Sequence, residues 1–428
     1  NAPTSPPINV GSEKQLFIDT LFFDDSQGVS LQVNPAHKTG EKNLQRDQPW
    51  ESATLNWFSV MEDRGGTIKP ESGKRARYRM WYETYDVEGW PTGDDTSFCY
   101  AESADGINWV KPELGLFSYQ EKTNNNILFR QIGPEGSHSR VHGAAVFKDP
   151  NGPAEERYKA VSQGIFASRG PPPHYIAGMY SADGMQWTRY PDPICEVFAD
   201  SQYSGFWDDE ANQYVIYGRV AGRGRALGRA SSEDFSIFDD LKLVLQTDDE
   251  DPPNSDLYNP AAMNYPYASN TYFMFPSLFQ HDKESLDIHL AVSRDGIHWT
   301  WPEKGKAFIP LGESGTFDSG SLYMGQGILR SGDTLFQYFG GSPLKHNESK
   351  LENLMLPGNS RTVSRVTSRL DGFVSVEAKE ENSFFVTPPL LFQGNILKLN
   401  VHVRDGGYLR VGLLDEQGEA IAGMSTAD

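Results

Sequence analysis

A seven-residue segment of the form Ser-x-Asp-Gly-x-x-Trp occurs three times in this 428-residue chain, and it restricts the possible folds more than any other feature. The three copies are Ser103–Trp109, Ser181–Trp187 and Ser293–Trp299. Two weaker copies place a phenylalanine shortly after Asp234 and Asp371. A motif that returns every several tens of residues indicates a repeat architecture.

Each full copy follows a strand-like segment rich in apolar and aromatic residues, such as Phe98–Ala101 or Ile288–Val292. The aspartate can accept hydrogen bonds from the backbone N–H groups that follow it, and the glycine can take a positive φ. The tryptophan then begins the next strand. A strand, an Asp-Gly turn and a Trp-bearing strand are together typical of the outer hairpin of a propeller blade.

The segments between these turns predict five similar units over residues 50–378. Each unit contains an inner strand, an aromatic second strand, a third strand and, after the turn, a fourth strand. The second strands suit burial between neighbouring blades. They are Tyr78–Tyr82, Arg157–Val161, Gln213–Tyr217, Thr271–Phe275 and Thr334–Tyr338. Almost no segment has helical periodicity, so the sequence predicts an all-β chain containing a five-bladed β-propeller.

The segments on either side of the propeller have different patterns. Residues 1–49 predict an N-terminal arm with a short strand, and residues 379–428 predict strands of a β-sandwich. Apolar and polar residues alternate in Phe385–Phe392, Ile396–Val403 and Tyr408–Leu414. The segment is too short for a whole sandwich, so we expect the N-terminal strand to complete it or the ordered region to end early.

Composition excludes several classes of partner. The formal net charge is −20, which argues against nucleic acid and anionic membranes. No apolar run is long enough to cross a membrane, no Cys/His spacing indicates zinc, and we expect no metal or cofactor. The chain begins at Asn1 without an initiator methionine, which predicts a processed, secreted or periplasmic protein. Cys99 and Cys195 allow one disulfide or two free buried thiols, and nothing in the sequence indicates an oligomeric state.

In a propeller the inner strands converge on the axis, so the residues that open them line one pocket. Carboxylates recur at this position in four of the five units, and the second unit contributes histidines. Carboxylates that lie close together raise one another's pKa values, as acid–base pairs require. Aromatic residues there, including Trp50, Trp57, Tyr203 and Tyr258, can stack on sugar rings. The pattern therefore predicts a carbohydrate site on the axis.

We assign catalysis to Glu51 and Asp256, with Asp200, Asp318 and His142 as supporting groups. Glu51 follows a tryptophan and should be partly desolvated, which raises its pKa and suits a general acid. Tyr258 and Asn259 can keep Asp256 ionised as a base or nucleophile. The predicted substrate-binding residues are Asp47, Trp50, His138, Gln202, Tyr203, Tyr258 and Asn259. For each single carboxylate, and for His142, a structural role is the alternative.

Other polar residues near the pocket are expected to face solvent. Glu83 lies at the end of a second strand. Arg219, Arg223 and Arg225 could bind a carboxylate or sulfate on a substrate, but a solvated face is the preferred interpretation.

These features resemble the five-bladed propeller glycoside hydrolases around families 32, 43, 68, 117 and 130, and the predicted sandwich is similar to that of family 32. The resemblance implies a glycosidase whose Asp-Gly turns are structural, which excludes Asp105, Asp183 and Asp295 from catalysis. Catalytic residues do not carry over, because the Trp-Met-Asn-Asp-Pro and Arg-Asp-Pro motifs of the better-known families are missing. Retention or inversion of configuration stays open.

We therefore expect a glycoside hydrolase that acts on a plant or algal polysaccharide with paired carboxylates in the propeller pocket. Two alternatives remain. A non-catalytic glycan-binding propeller would need the aromatic residues but not the acids. A polysaccharide lyase could use His142 and Tyr258 as base and acid.

Overall fold

The computed structural model describes residues 5–64, 77–88, 96–130, 140–166, 169–170, 174–197, 200 and 202–427. These residues form a β-propeller arrangement with almost no helix, as predicted. The helical segments are one α-helical turn at Leu351–Leu354 and 3-10 helices at Pro49–Glu51, Ala154–Glu156 and His346–Glu348. Within this part of the chain, no helix has the length and apolar character needed to span a membrane.

The strands of the arm and of the first three repeats follow the predicted order. The arm contains β1 (Ile8–Gly11), β2 (Asp25–Gln27), β3 (Val29–Val33) and β4 (His37–Lys38). The first repeat contains β5 (Thr54–Glu62), β6 (Tyr78–Tyr85), β7 (Ser97–Ser103), β8 (Trp109–Val110) and β9 (Ile127–Arg130). The second contains β10 (His142–Lys148), β11 (Tyr158–Ile165), β12 (His174–Ser181) and β13 (Thr188–Arg189). The third contains β14 (Ser204–Asp208), β15 (Gln213–Gly222), β16 (Gly224–Ser232) and β17 (Lys242–Leu245).

The later repeats contain shorter strands. The fourth contains β18 (Ser255–Tyr258), β19 (Met263–Asn264), β20 (Tyr272–Met274), β21 (Ser277–Gln280), β22 (Ser285–His289), β23 (Ala291–Ser293), β24 (Trp299–Thr300) and β25 (Ala307–Ile309). The fifth contains β26 (Ser321–Met324), β27 (Leu329–Ser331), β28 (Thr334–Ser342) and β29 (Thr362–Arg369). Three strands follow, β30 (Val374–Ala378), β31 (Phe384–Val386) and β32 (Leu390–Phe392).

The predicted count of five separate blades is wrong, because four blade sheets stand alone in the described part of the chain. They are formed by β5–β9, by β10–β13, by β14–β17, and by β19, β20, β23 and β24. The other strands of the fourth repeat join β26 to β29 and β4 in a nine-stranded sheet, through one parallel pair between Leu286 and Ser321. Pro260 and Pro276 interrupt the strands of the fourth repeat, since proline cannot donate to a sheet ladder.

The Asp-Gly turns form as predicted and share one hydrogen-bond pattern. Asp183 Oδ1 accepts from Ser181 Oγ at 3.0 Å and from the backbone N–H groups of Met185 and Gln186 at 2.8 and 2.9 Å. The turns at Asp105 and Asp295 repeat this pattern. The glycine that follows each aspartate has a φ of 71° to 75°, a conformation that glycine adopts without strain.

Each turn contacts the second strand of the preceding repeat, or the strand beside it, through a hydrogen bond or a packed ring. Side chains there donate to the turn glycine: Trp81 to the carbonyl of Gly184 at 2.6 Å, Tyr217 to that of Gly296 at 2.6 Å, and Tyr338 to that of Gly106. In the weaker copies, Phe235 packs edge-to-face on Phe147 and Asp371 accepts from Tyr265. The five turns therefore link the repeats into a closed ring.

The apolar core lies between neighbouring repeats. Trp81 and Tyr100 of the first repeat pack with Val146 and Met179 of the second, and equivalent clusters separate the other repeats. Both cysteines lie in such clusters, and both are free and buried. Of the two alternatives for the cysteines, free thiols are the one observed.

The N-terminal arm pairs with the C-terminal strands, but the pairing does not complete a β-sandwich. β1 pairs with β32, β2 with β31, β3 with β30, and β4 with the edge of β29. The further strands predicted at Ile396–Val403 and Tyr408–Leu414 are not formed, so the predicted sandwich is not observed. An alternating strand needs a second sheet to cover its apolar face, and here Ile396 and Tyr408 are 77% and 75% exposed.

Candidate functional site

Buried amide side chains join the inner strands at the propeller axis. Gln202 Nε2 donates to the carbonyl of Phe58 at 3.4 Å, and Asn259 Nδ2 donates to the carbonyl of Met324 at 3.2 Å. Asn259 also contacts Gln202 at 3.5 Å, and both side chains are buried. These two predicted substrate-binding residues therefore use their polar groups to connect the repeats.

A chain of polar side chains runs from Glu83 through His142 and Asp200 to Arg219. Glu83 Oε1 lies 2.9 Å from His142 Nδ1, His142 Nε2 lies 3.2 Å from Asp200 Oδ1, and Arg219 Nη2 lies 2.9 Å from Asp200 Oδ2. Side-chain exposure rises along this chain, from 0% at Glu83 through 10% at His142 to 35% at Asp200. Asp200 is therefore the carboxylate that a ligand reaches first.

Two β-bulges orient the side chains that open the inner strands. In β10 the pairing with β11 shifts directly after His142, where Gly143 has a φ of 69°. In β5 the pairing with β6 shifts between Leu55 and Phe58, around Trp57. Bulges redirect single side chains, and they are frequent beside active sites. The two bulges explain why His142 and Trp57 leave the regular alternation of their strands.

Glu83 and His142 stabilise each other's charged forms. Burial, the largest influence on Glu83, would raise its pKa, but the charge and hydrogen bond of His142 and the N–H of Gly143 lower it overall. Burial would lower the pKa of His142, but Glu83 and Asp200 raise it overall. The two side chains therefore form an ion pair over the pH range between these two pKa values.

The stability of the protein is expected to fall as pH rises through the raised pKa of His142. Protonated His142 is favoured in the folded state, so its contribution is complete below the unfolded pKa of about 6.5 and is lost above the folded pKa. Urea unfolding of the wild type and of His142→Gln between pH 6 and 9 measures this. The difference in free energy of unfolding should shrink with rising pH, and a difference that stays constant or grows would contradict the assignment.

A second cluster forms around Asp256 on β18. Asp256 Oδ2 accepts from the backbone N–H of Arg225 at 3.1 Å, and it lies 3.3 Å from Arg225 Nη1 and 3.0 Å from His281 Nε2. Asp256 Oδ1 is buried without a hydrogen-bond partner. A Cβ added at Gly224 would lie 2.8 Å from Asp256 Oδ2, so only glycine lets this hairpin come so close. Asp256 and His281 line a cavity of about 500 Å³.

Trp57, Tyr258 and Tyr323 form an aromatic patch next to both clusters. The Trp57 and Tyr258 rings are stacked with centroids 6.3 Å apart, and Tyr323 packs edge-to-face on Trp57 at 5.1 Å. Tyr258 follows Asp256 by two residues on one strand, so the two side chains share a face. Burial raises the pKa of Tyr258, and the charge of Asp200 adds to that effect. Tyr258 is therefore within electrostatic reach of Asp200 and lies beside Asp256 on its strand.

Glu51 lies apart from these clusters. Its side chain is fully buried and accepts from Tyr82 at 2.6 Å and from Lys111 at 2.6 Å, and from the backbone of Asp47 at 3.0 Å. Burial raises the pKa of Glu51, as predicted, although Lys111 opposes the effect. None of its partners contacts Asp256, so the structure does not bring the predicted pair together through shared contacts.

The remaining predicted residues are spread over several environments. Asp318 forms an ion pair with Lys38 of the arm at 2.6 Å, and Asp47 forms one with Lys111 at 2.7 Å. Trp50 is buried and donates to Asn126, and Tyr203 is fully buried between repeats. His138 lies outside the described residues. Two pairs of the predicted set lie together. His142 contacts Asp200, and Asp256 shares a strand face with Tyr258.

Sequence reasoning missed several residues of the site. Glu83 was expected to be solvated but is 1% exposed, and Arg219 and Arg225 form ion pairs with Asp200 and Asp256. The expectation that these three side chains face solvent is therefore wrong. The sequence does not indicate a role for Arg361 or His281. Arg361 lies in a loop and His281 at a strand end, and no motif marks either position. Within the described residues, no group of three or more His, Cys, Asp or Glu side chains could hold a metal ion.

The fold is similar to that of solved carbohydrate-active proteins. A structure described as a glycoside hydrolase aligns with a TM-score of 0.54 at 12% identity, over 82% of this chain and 96% of its own. An N-acetylgalactosamine deacetylase from F. plautii, in complex with blood group B trisaccharide, aligns with a TM-score of 0.51 at 16% identity, over 79% of this chain and 95% of its own. No protein-family model and no curated protein matches the sequence.

At these identities the likeness shows the fold alone. It confirms the resemblance to glycoside hydrolase propellers that the turns and strand pattern indicated. The names of the two similar proteins include a hydrolase and a deacetylase, so this fold does not specify one reaction. The reaction of this chain has to be inferred from its side chains.

Proposed function

We propose that this protein, whose fold is that of the glycoside hydrolase propellers, is a glycosidase that acts on a plant or algal polysaccharide. The observation that carries the proposal is the pair of carboxylates, Asp200 and Asp256, beside one aromatic patch. Sugar rings stack on aromatic side chains, and two carboxyl groups near one glycosidic bond are the usual means of hydrolysing it.

Each carboxylate is contacted by one arginine and one histidine, but the side chain of Asp200 is 35% exposed and that of Asp256 is 3% exposed, and this difference suits different roles. Arg219 and His142 contact the two oxygens of Asp200, an arrangement that favours its ionised form and therefore a base or nucleophile. Arg225 and His281 contact Oδ2 of Asp256, whereas Oδ1 has no hydrogen-bond partner among the described residues. Glu83 holds the His142 ring in place and supports its charge.

This assignment replaces Glu51 by Asp200 as the partner of Asp256. Glu51 is surrounded by donors from its own repeat and has no exposed oxygen, whereas the side chain of Asp200 is 35% exposed. The pairing of Glu51 with Asp256 that the sequence predicts stays a prediction, and the same variants test both pairings.

A screen for new reducing ends tests the proposal. We expect the protein to release reducing ends from at least one member of a panel of plant and algal polysaccharides. Absorbance of an unsaturated uronate without hydrolysis would instead support the lyase. Binding to glycans without any product would support the non-catalytic alternative. Either of these results would contradict the proposed function.

A further inference from the structure

Arg361 forms no ion pair with a carboxylate in the described part of the chain, and Glu83, which acts on its charge, is paired with His142. Arg361 precedes β29, and its guanidinium donates one hydrogen bond, from Nη1 to Asn56 Oδ1 at 2.7 Å. No carboxylate within the described part of the chain lies within 4.0 Å of it, and its Nε is buried without a partner. Arg365, four residues later and within β29, instead pairs with Glu41 through two bonds of 2.8 Å. A buried charge without a partner is costly, which suggests that a ligand supplies one.

Arg361 and Arg225 both pack on the aromatic patch. Arg361 lies 4.6 Å from the ring centroid of Tyr323, and Arg225 lies 5.2 Å from that of Tyr258. The two rings are 5.6 Å apart. Asp256 is the carboxylate that pairs with Arg225, so this end of the patch carries two guanidinium groups and one carboxylate. It is locally positive in a chain whose net charge is −20.

The unpaired polar atoms around the patch are mostly donors. The Nε atoms of Arg361 and Arg225 and the Nε1 atom of Trp57 are buried without acceptors. Among the described residues around the patch, Asp256 Oδ1 is an acceptor without a partner. These atoms are buried, so a ligand would reach the outer Nη groups of the guanidinium groups, and the Arg225 side chain is 31% exposed. A ligand that binds guanidinium groups is rich in acceptors, as a carboxylate or sulfate is.

The pKa of His346 is lowered by the same excess of positive charge. Its Nδ1 lies 3.0 Å from the hydroxyl of Tyr323, and its ring packs on Tyr258 with centroids 5.1 Å apart. Burial, followed by the charges of Arg225 and Arg361, lowers the pKa of His346 to about 4, whereas Asp256 opposes this and His281 adds to it. A bound anion would neutralise the arginines and raise that pKa.

We propose that Arg361 and Arg225 form a subsite for an anionic sugar, so that the substrate is a glycan bearing a carboxylate or a sulfate group. This inference rests on the proposed function for the identity of the bound molecule as a glycan. Trp57 and Tyr323 are buried, so the half-buried ring of Tyr258 stacks on the sugar, and the two guanidinium groups bind the anion. Uronates and sulfated sugars both carry an oxyanion on a sugar ring. The oligosaccharide probes described below distinguish between these two classes.

The experiment measures binding to two matched pairs of oligosaccharides by titration calorimetry. One pair is trigalacturonate and its methyl ester, and the other is a sulfated galactan tetrasaccharide and its desulfated form. We expect the anionic member of one pair to bind at least about tenfold more tightly, with an affinity that falls as salt rises. Equal affinity within both pairs, or no binding of any of the four probes, would overturn the inference.

Variants test whether Arg361 causes the preference for the anionic oligosaccharide. Arg361→Met should remove the preference for the anionic member, and Arg361→Lys should retain part of it because the charge remains. Arg330→Met is the matched control, since Arg330 is 38% exposed, pairs with Asp333 and packs on Tyr267 rather than on the aromatic patch. This variant should bind as the wild type does. A preference that survives Arg361→Met in the folded protein would overturn the inference.

A second readout does not depend on any variant. The NMR titration midpoint of His346 should rise from about 4 when the preferred probe saturates the protein. An unchanged midpoint would contradict the placement of the anion. Failure of the subsite and failure of the proposed function are distinguishable, because binding does not require cleavage. Cleavage of neutral glycans without preference refutes the subsite alone, whereas Arg361-dependent binding without products refutes the glycosidase alone.

Discussion

Asp200→Asn and Asp256→Asn, made separately, are each expected to lower turnover of a cleaved glycan by about 10²–10⁴-fold, the range typical for loss of a positioned acid or base. The amide keeps the size of the side chain but can neither carry the negative charge nor transfer a proton. Turnover is measured as the release of reducing ends at saturating substrate. Circular dichroism and urea unfolding should show that the variants remain folded.

Asp249→Asn is the matched control for these variants. Asp249 lines the same cavity as Asp256, but its side chain is 91% exposed. Its turnover should equal that of the wild type. Near-wild-type turnover of both Asp200→Asn and Asp256→Asn would refute the assignment. Glu51→Gln separates the two pairings: we expect lower stability with normal turnover, and a folded Glu51→Gln protein without activity would favour the pairing that the sequence predicts.

Arg79→Met is expected to lower the free energy of unfolding by about 3–5 kcal/mol, because it removes one partner of a buried ion pair. The Arg79 side chain is completely buried, donates to Asp63 at 3.2 Å and to Tyr100 at 2.8 Å, and lies over the ring of Trp81. It also donates to the carbonyl of Asp183 in the turn of the second repeat. Removing Arg79 leaves Asp63 buried with a weaker partner and loosens the contact between the first two repeats.

Urea unfolding of Arg79→Met measures this loss, and Arg77→Met is its control. Arg77 lies two residues earlier on the same segment and pairs with Glu62, but both side chains are more than a third exposed. Exposed pairs contribute at most about 1 kcal/mol. A similar loss for the two variants would show that the buried network around Arg79 is not what stabilises this part of the ring.

The local parts of the fold were predictable because their causes are local. The Asp-Gly turns follow from residues within one heptapeptide, and the second strands follow from their own aromatic residues. The separation of the fourth repeat by Pro260 and Pro276 could have been predicted from the same sequence, since each proline interrupts a strand pattern. The joining of its strands to the fifth repeat could not, because it depends on a contact between Leu286 and Ser321, which three strands separate in the sequence.

Site residues could be predicted from the sequence only where they lie at the start of an inner strand. His142, Asp200, Asp256 and Tyr258 open inner strands, and a propeller brings those positions together. Glu83 contacts His142 across 59 residues of sequence, and nothing near Glu83 indicates that its carboxylate is buried. Glu51 opens a strand as well, but Lys111 and Tyr82 bind it from outside the pocket, and pairing over such distances depends on tertiary structure.

The bonds that close the ring lie at the outer turns, whereas the two carboxylates and the aromatic patch belong to inner strands and their loops. The donors that close the turns, Trp81, Tyr217 and Tyr338, donate to the turn glycines, whereas Arg219 and His281 pair with Asp200 and Asp256. Ring closure and ligand chemistry are thus carried by separate sets of residues. Proteins with this fold can therefore change their pocket residues, and with them the preferred sugar, while the contacts between neighbouring repeats stay unchanged.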